Sequence, residues 1–410
     1  MVATSDKLKV LCVNKFHYVK GGADRCYLEW GDLLQEKGHE VVFYSMLHER
    51  NRPTPYAKYF VDKIEFFDGE RRNLPAIATR VLYSPQARTR IEALIEETKP
   101  DVAHLHNIAH QLSPSILHSL KKYKLPVVQT VHDYKFGCPT YSFYTQGQVC
   151  ERCKTHRYYN AVLQRCNRGS LAASLLNCVE MYFHKLIRVY DNVDLFISPS
   201  NYLRQKMIEY GVSADRVLRV PNYVAADQYI PRYTHDDHLL FVGRLVPYKG
   251  VSTLFEAVRH VEGAQLRVVG EGELREQLED YARAHDIDNI AFLGYKSGQE
   301  LQSIIAGSML TVVPSEWYEN LPYVILESFA LGTPVLAADI GGMPELIEPG
   351  VDGLLFEPGN VADLANKIGY LLDNRQELAE MGRNARAKVE QEYGPETHYQ
   401  QLMEIYGRVL

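Results

Sequence analysis

The sequence predicts an α/β protein made of two Rossmann-like domains, each with a parallel, doubly wound sheet. Short apolar runs alternate with amphipathic helical segments along nearly the whole chain, which is typical of parallel sheets covered by helices. This alternation restarts after the polar stretch at residues 225–237. The chain has 410 residues, a length that accommodates two or three domains at about 100–200 residues each.

The predicted strands are runs rich in β-branched and apolar residues. In the first half they are Lys9–Val13, His39–Tyr44, Asp101–His104, Pro126–Gln129 and Leu195–Ser198. In the second half they are Leu239–Val242, Leu266–Val269, Ile290–Leu293, Leu310–Val313 and Val335–Ala337. We therefore expect an N-terminal domain over residues 1–195, a hinge region over 196–230, a second domain over 231–390, and a C-terminal helix over 391–410 that returns to the N-terminal domain.

Composition excludes several classes of function. The net charge of −6 argues against a general nucleic-acid binder. No stretch reaches the roughly 18 uncharged apolar residues of a transmembrane helix, and the N-terminus lacks the apolar core of a signal peptide. We expect a cytoplasmic protein in which the seven cysteines are reduced.

Glycine-containing turns follow several predicted strands, where the free N–H groups of a helix N-terminus favour an anion. Gly21 and Gly22 follow the first strand, and Gly243 follows the first strand of the second domain. Arg244 and Lys249 add two cations at that second turn and predict a diphosphate clamp. The alternative is that these glycines only serve tight turns. The first strand is not followed by GxGxxG, which disfavours a simple NAD dehydrogenase.

Two glutamates lie eight positions apart near a predicted helix start. Asn320 is predicted to cap this helix and Pro322 to occupy its first turn, so that Glu327 lies inside the helix and Glu319 just ahead of it. Eight residues at helical rise separate the two glutamates by about 12 Å, roughly the span from a sugar across a diphosphate to a ribose. One carboxylate would accept hydrogen bonds from sugar hydroxyls and the other from the ribose diol. The alternative is a pair of solvated acids.

At these motifs the sequence resembles retaining glycosyltransferase family 4, which has the GT-B fold of two facing Rossmann-like domains. In the second half the resemblance rests on FVGRLVPYKG (241–250), VVGEGEL (268–274), FLGY (292–295), the two glutamates, GTPVLAADIGGMPELI (332–347) and GVDGLLFEPGN (350–360). In the first half it rests on VNKFHYVKGGADR (13–25), HLHNIAHQLSPSI (104–116) and QTVHDYKFGCP (129–139). It covers nearly the whole chain.

The resemblance implies a role for each matching position. Arg244 and Lys249 would hold the diphosphate and steady the charge of the leaving group. Glu319 would bind the transferred sugar, Glu327 the ribose, and His132 would approach the donor sugar from the opposite domain. The other residues implied in donor binding, with 292–295 against the base, are Gly21, Gly22, Gly243, Glu271, Leu293, Tyr295, Asn320, Leu321, Pro322 and Tyr323. Many members have glycines where this chain has Asn-Leu-Pro-Tyr, so we expect a different shape of sugar pocket.

The reaction implied by the resemblance moves a hexosyl group from a nucleoside-diphosphate sugar, UDP- or GDP-linked, to an acceptor hydroxyl with retention of configuration. The acceptor would be a glycan or a lipid-linked glycan of polysaccharide biosynthesis, and no catalytic divalent metal is expected. Two alternatives stay open. A nucleotide-sugar epimerase of the same fold would need no acceptor, and a non-catalytic sugar-nucleotide sensor would bind the donor without turnover.

Four cysteines are spaced as C-x11-C-x2-C-x12-C, at Cys138, Cys150, Cys153 and Cys166. Four thiolates in such a pattern predict one structural zinc ion, and a subset of the family looks similar here. The alternative is free thiols in a reducing compartment.

The segment 151–190 has seven Lys and Arg residues against two acids, a net charge of +5 within a chain of −6. It also carries apolar residues at 171–176 and 182–183. This combination predicts a surface that docks on an anionic membrane, where a lipid-linked acceptor would be met. The alternative is a solvated basic surface.

Overall fold

The structure is a computed structural model that describes residues 7–64, 74–234, 236–285 and 287–410. It contains two six-stranded parallel sheets with helices between the strands, and the predicted fold class is confirmed. Within the described residues no helix is long and apolar enough to cross a bilayer.

Before residue 220, the described residues of the first domain form the α-helices and strands that follow. They are β1 (Lys9–Val13), α1 (Gly22–Glu36), β2 (Glu40–Tyr44), α2 (Leu74–Leu82), α3 (Pro85–Thr98), β3 (Val102–Leu105), α4 (Ile116–Lys122), β4 (Val127–Thr130), β5 (Tyr144–Thr145), β6 (Gln148–Val149), α5 (Asn160–Leu163), α6 (Leu171–Leu186), β7 (Leu195–Ser198), α7 (Asn201–Glu209) and β8 (Val217–Arg219). The sheet order is β2-β1-β3-β4-β7-β8, and β5 and β6 form a separate hairpin.

The second domain repeats the pattern. Its elements are β9 (Leu239–Val242), α8 (Val251–Arg259), β10 (Leu266–Val269), α9 (Arg275–Ala284), β11 (Ile290–Gly294), α10 (Gly298–Gly307), β12 (Leu310–Val313), α11 (Tyr323–Ala330), β13 (Val335–Ala338), β14 (Gly353–Phe356), α12 (Val361–Asp373) and α13 (Arg375–Glu392), followed by α14 (Pro395–Val409). The sheet order is β11-β10-β9-β12-β13-β14.

Side chains of β1 alternate between two hydrophobic cores, one on each face of the first sheet. Leu11 and Val13 belong to the core on one face of the sheet, whereas Val10 and Cys12 belong to the core on the other face. Successive side chains of a strand point to opposite faces, and a strand covered on both faces is apolar throughout. This is why the strand is a continuous apolar run in the sequence.

The connection between the domains is shorter than the hinge that the sequence predicts over 196–230. Residues 195–219 form β7, α7 and β8, and β8 pairs in parallel with β7 as the edge strand of the first sheet. Strand β8 is only three residues long and ends in Arg219, so no apolar run marks it in the sequence. The crossing therefore lies between β8 and β9.

Helix α14 packs on the first domain after the chain has passed through the second. Leu402 and Tyr406 are fully buried in the core that contains α1. The Tyr406 hydroxyl lies 2.7 Å from Nδ1 of His104 in β3. Because the last helix belongs to the first domain, the chain crosses between the domains twice.

Candidate functional site

The N-terminus of α1 in the first domain faces the N-terminus of α11 in the second. A Cβ atom placed on Gly22 would lie 3.6 Å from Cδ2 of Tyr323. Across the same gap, Nδ2 of Asn320 donates a hydrogen bond to the main-chain oxygen of His132 at 2.6 Å. The structure thus brings predicted residues of both domains together at the carboxyl ends of the strands, where open α/β sheets bind their ligands.

Glu319 lies in the loop between β12 and α11 and is only 7% exposed. Its Oε1 accepts hydrogen bonds from Ser315 Oγ at 2.8 Å and from the ammonium group of Lys249. Lys249 and Glu319 are 70 positions apart in the sequence and were predicted for different parts of the donor. Because an ammonium carries three N–H donors, this ion pair orients Lys249 and leaves it two donors for another oxygen ligand.

Two glycines let the loops of this site approach each other. Gly250, next to Lys249, has φ of +67°, and a Cβ atom there would lie 1.8 Å from the main-chain oxygen of Pro314. A Cβ atom on Gly342 would lie 1.7 Å from the main-chain oxygen of Asn320. Any larger residue at either position would push the loops apart. These two glycines therefore help to fix the position of the charged residues.

Arg244 is exposed in the turn after β9, and an aromatic pair orients its guanidinium group. Its Nη2 donates to the Tyr248 hydroxyl at 2.6 Å, and the Tyr248 ring centre lies 5.2 Å from that of Trp317. Sequence reasoning missed Tyr248, which lies inside FVGRLVPYKG, and Trp317, which lies two positions before Glu319. The two predicted cations are thus held separately, Arg244 by Tyr248 and Lys249 by Glu319.

The predicted helix cap at Asn320 is wrong. Helix α11 begins at Tyr323 with Pro322 as its N-cap residue and has no side-chain cap, so Pro322 lies one position before the first turn. A proline disfavours helical backbone at the residue before it, which keeps Leu321 outside the helix and leaves Asn320 too far from the first turn. Asn320 contacts the other domain instead. Glu327 lies inside α11, as predicted.

Glu327 is contacted by a cation from the first domain. Nη1 of Arg25 donates to Glu327 Oε1 at 2.5 Å, and the Tyr229 hydroxyl lies 3.4 Å from the same oxygen. Arg25 also binds Glu29 at 2.6 Å, and its guanidinium group lies 4.5 Å from the centre of the Tyr323 ring. Sequence reasoning missed Arg25. The sequence does mark this residue indirectly. A cation in the first turn of α1 is disfavoured by the helix dipole, which indicates that it has a partner outside the helix.

His132 follows β4 and stacks on His106, with ring centres 5.2 Å apart and a distance of 2.9 Å from Nε2 to His106 Nδ1. Desolvation, with a smaller contribution from Lys15, lowers the pKa of His132 to about 3. The ring is therefore neutral at pH 7, and in the pair one imidazole donates to the other. A neutral His132 contributes its main-chain oxygen and a ring face to the cleft, without charge.

Cys26 completes a group with these two histidines. The Cys26 Sγ atom and one ring nitrogen from each of His106 and His132 all lie within 4.8 Å of one another. Burial raises the pKa of the Cys26 thiol well above its usual value, which opposes the thiolate that a metal requires. We interpret the group as a packed wall of the cleft.

Further residues predicted to bind the donor lie at the carboxyl ends of neighbouring strands. Gly243 follows β9, Glu271 follows β10, and Leu293 lies near the end of β11. A Cβ atom on Gly294 would lie 3.3 Å from Glu271 Oε1. Tyr295 is 74% exposed, so this edge of the site is open to solvent. The structure brings these residues together, and their contact with the donor, with 292–295 against its base, stays a prediction.

Two further predicted positions contribute backbone and packing. Gly21 is the N-cap residue of α1, in extended conformation. Leu321 is 4% exposed, and its main-chain oxygen accepts a hydrogen bond from Asn222 Nδ2 at 3.0 Å. Neither presents a charged group to the cleft.

The four spaced cysteines gather in the insertion between β4 and α6. Cys138 and Cys153 are buried, and Cys150 and Cys166 are half-buried. Burial, reinforced by the other three thiols, raises the pKa of Cys153 to about 12. No three of their Sγ atoms all lie within 4.8 Å of one another. The thiols are neighbours, but in this conformation they do not yet form a closed ligand set.

Comparison with known proteins gives consistent results over both domains. Residues 20–228 match the family described as Glycosyltransferase Family 4, and residues 227–388 match Glycosyl transferases group 1. The chain is similar to the alpha-D-kanosaminyltransferase of Streptomyces kanamyceticus, at 31% identity over 215 residues. That match covers 48% of this chain and 55% of the relative, so the chain spans about half the length of the curated relatives of this kind.

Solved structures show the same fold over the whole chain. The sucrose-phosphate synthase from Thermosynechococcus elongatus matches with a TM-score of 0.73 at 18% identity, covering 98% of this chain and 99% of that one. The Anabaena protein Alr3699/HepE, in complex with UDP and glucose, matches with a TM-score of 0.69 at 18% identity, covering 98% and 100%. At these identities the likeness shows the fold alone.

Proposed function

This chain belongs to glycosyltransferase family 4, and from that premise we propose that it moves a hexosyl group from a nucleoside-diphosphate sugar to an acceptor hydroxyl with retention of anomeric configuration. The observation that carries the proposal is the Lys249–Glu319 ion pair just ahead of α11. It sets a cation for the diphosphate beside a carboxylate for the sugar hydroxyls. UDP- and GDP-sugars are the donors to test first.

In the proposed reaction the bond from the anomeric carbon to the diphosphate oxygen breaks, and its electron pair leaves with the diphosphate. The acceptor oxygen forms its new bond on the same face of the sugar, and its proton passes to the departing phosphate. Charge therefore grows on the diphosphate in the transition state. Positioned cations stabilise such charge most strongly when they need no reorganisation. Lys249 and Arg244, each already held by a partner, fit this role without a catalytic divalent metal.

Retention is what membership of the family implies, and the state of His132 supports it. An inverting enzyme needs a general base opposite the leaving group, whereas the low pKa of His132, about 3, makes its imidazole a weak base within its hydrogen-bonded pair with His106. The protein would then act chiefly by positioning the two substrates. The α11 N-terminus, with its free N–H groups, adds a favourable site for the sugar phosphate.

For the acceptor we propose a glycan or a lipid-linked glycan of polysaccharide biosynthesis, met by a cytoplasmic enzyme at a membrane surface. We also propose that Cys138, Cys150, Cys153 and Cys166 hold one structural zinc ion. The side chains lie close enough for the other three thiols to raise the pKa of Cys153. Metal binding would supply free energy to a segment with little apolar periodicity.

A thermal-shift screen tests the donor directly. The chain would be heated with UDP, GDP, ADP and dTDP, and then with the sugars of whichever nucleotide stabilises it. We expect one nucleotide to raise the melting temperature, its sugar to do so as well, and an acceptor to release the free diphosphate. Conversion of the donor sugar to its epimer without an acceptor would indicate an epimerase. Binding without turnover on any acceptor would indicate a sensor.

A further inference from the structure

Helix α6 exposes a line of apolar side chains and buries several polar ones, unlike an ordinary surface helix. Five large apolar side chains on one face are exposed, namely Leu171 (53%), Leu175 (50%), Val179 (44%), Tyr182 (39%) and Leu186 (80%). The buried face includes the polar residues Ser174, Asn177, Glu180 and His184, beside Cys178 and Met181. In a globular protein the apolar stripe of an amphipathic helix normally faces the core. Here it faces outward.

Buried polar residues of α6 bond to other parts of the first domain. Glu180 is fully buried, and its Oε2 accepts from Lys135 Nζ at 2.6 Å and lies 3.1 Å from His110 Nε2. Asn177 Nδ2 donates to the main-chain oxygen of Pro139 at 3.2 Å. A buried carboxylate costs several kcal/mol unless it is paired in this way. These contacts therefore fix the rotation of α6 and hold its apolar stripe outward.

The apolar stripe is long and is extended by the preceding helix. From Leu171 to Leu186 it runs for about 22 Å at 1.5 Å per residue, with apolar residues at nearly every turn. Next to it in the sequence, Leu163 is 69% exposed and Tyr159 is 49% exposed. Scattered exposed apolar residues are normal, but a continuous exposed patch marks an interaction surface.

The charge around this stripe is positive. Segment 151–190 has seven basic residues and two acids. Both acids are engaged inside the protein: Glu180 as described, and Glu151 with Lys206 at 2.8 Å and with the Tyr210 hydroxyl at 3.1 Å. Arg165 and Arg168 precede the stripe, and Lys185 lies at its end, where Arg188 is paired with the exposed Asp191 at 2.6 Å. The exposed charge at both ends is thus cationic in a chain whose net charge is −6.

We propose that the face formed by α5 and α6 docks into the interface of an anionic phospholipid bilayer. A helix with exposed apolar side chains on one line, tyrosines beside them and cations at both ends is the pattern of an interfacial helix. Each cation near an anionic surface adds attraction to the apolar burial. A second copy of the chain would bring a second cationic rim against the first, which like-charge repulsion disfavours.

Docking through α6 would place the cleft next to the membrane. Lys135 and His110, which hold Glu180, lie in the loops after β4 and β3, the same strand ends that carry His132 and His106. The helix is therefore joined directly to the wall of the cleft in the first domain. The proposal goes beyond the transfer reaction, because membrane binding can be measured without any donor or acceptor.

Flotation of the full chain with vesicles tests the proposal. Vesicles of phosphatidylcholine alone would be compared with vesicles that also contain phosphatidylglycerol. We expect the chain to float with the anionic vesicles only, and salt to release it. The double variant Leu175→Gln/Val179→Gln should bind at least about tenfold more weakly, since two apolar side chains no longer insert. Lys185→Gln should weaken binding about fivefold.

A matched control and a second readout keep the result interpretable. Ile230→Gln changes a side chain that is 85% exposed but lies outside the α5–α6 face, and it should bind like the unchanged chain. In a Tyr182→Trp variant the tryptophan emission should shift to the blue with anionic vesicles. Absence of flotation with anionic vesicles, or equal binding by the double variant, would overturn the proposal. So would a stable dimer that the double variant dissociates, which would assign the face to a second copy.

Discussion

Arg25 of the first domain and Glu327 of the second form an ion pair across the cleft, with Nη1 and Oε1 2.5 Å apart. Their side chains are 25% and 15% exposed, so the pair is largely shielded from water. Glu327 is also the carboxylate proposed for the ribose. The same residue thus connects nucleotide binding to the contact between the domains.

Arg25→Gln should loosen the closed arrangement of the domains. It leaves Glu327 and Glu29 near each other without the cation they share, and loss of one partner of a buried pair is strongly destabilising. Allowing for partial exposure, we expect the free energy of unfolding to fall by about 2 kcal/mol, and the radius of gyration from X-ray scattering to rise. Arg188→Gln is the control, because it breaks an exposed pair with Asp191, whose side chains are 80% and 52% exposed. Equal effects of the two variants would contradict a linking role for Arg25.

Removing either cation of the proposed diphosphate clamp should slow transfer. Lys249→Ala and Arg244→Ala should each cost at least about 2 kcal/mol of transition-state stabilisation, the scale for a lost contact to developing charge. The measurement is kcat/KM with the identified donor. Lys367→Ala, which breaks a surface pair with Asp363 at 3.1 Å in the same domain, should leave it unchanged. Turnover at the original rate in both clamp variants would remove the assignment.

Substitutions of the two glutamates should have different effects on nucleotide binding and on sugar transfer. Glu327→Ala should weaken binding of the free nucleoside diphosphate about tenfold, the scale for a lost hydrogen bond to a charged group. Glu319→Ala should spare that binding and impair sugar transfer, because its partner in the proposal is the sugar. Calorimetric titration and initial rates give the two quantities. If both variants lose binding and transfer to the same degree, the split roles are wrong.

The four spaced cysteines should hold one structural zinc ion. Elemental analysis of protein purified without chelator should give about one zinc per chain for a single four-thiolate site, and chelator should lower the melting temperature. Cys150→Ser/Cys153→Ser should lose the metal. Cys178→Ser should keep it, since Cys178 is a buried neighbour of Cys153 outside the spacing. Substoichiometric metal with four freely titrating thiols would support the alternative.

The fold was predictable because its strands are buried on both faces and therefore appear as apolar runs, as at β1. Strand β8 escaped detection because three residues with an arginine do not make such a run. Helix α6 shows a deeper limit. Its periodicity predicts a helix, but the usual rule that the apolar face is buried gives the wrong rotation, since Glu180 and its partners decide it.

Sequence motifs single out Lys249, Glu319 and Glu327, and their roles in the candidate site stay predictions. What the sequence could not provide was pairing between distant positions, such as Lys249 with Glu319 across 70 residues. Asn320 shows the same limit, because a local rule assigned it to a helix cap whereas a contact with the other domain holds its side chain. Residues that contact the other domain are marked only indirectly in the sequence. Arg25, for example, is a cation in the first turn of α1, where the helix dipole disfavours it.

The anomeric configuration of the product tests the central claim most directly. The donor identified by thermal shift would be incubated with an acceptor glycan, and the new linkage would be examined by NMR through its anomeric coupling constant. A retaining transferase with no general base opposite the diphosphate gives the donor's own anomeric configuration, together with one free nucleoside diphosphate for each linkage formed. The account predicts that result. A product with the opposite anomeric configuration, or a sugar epimerised without an acceptor, would contradict it.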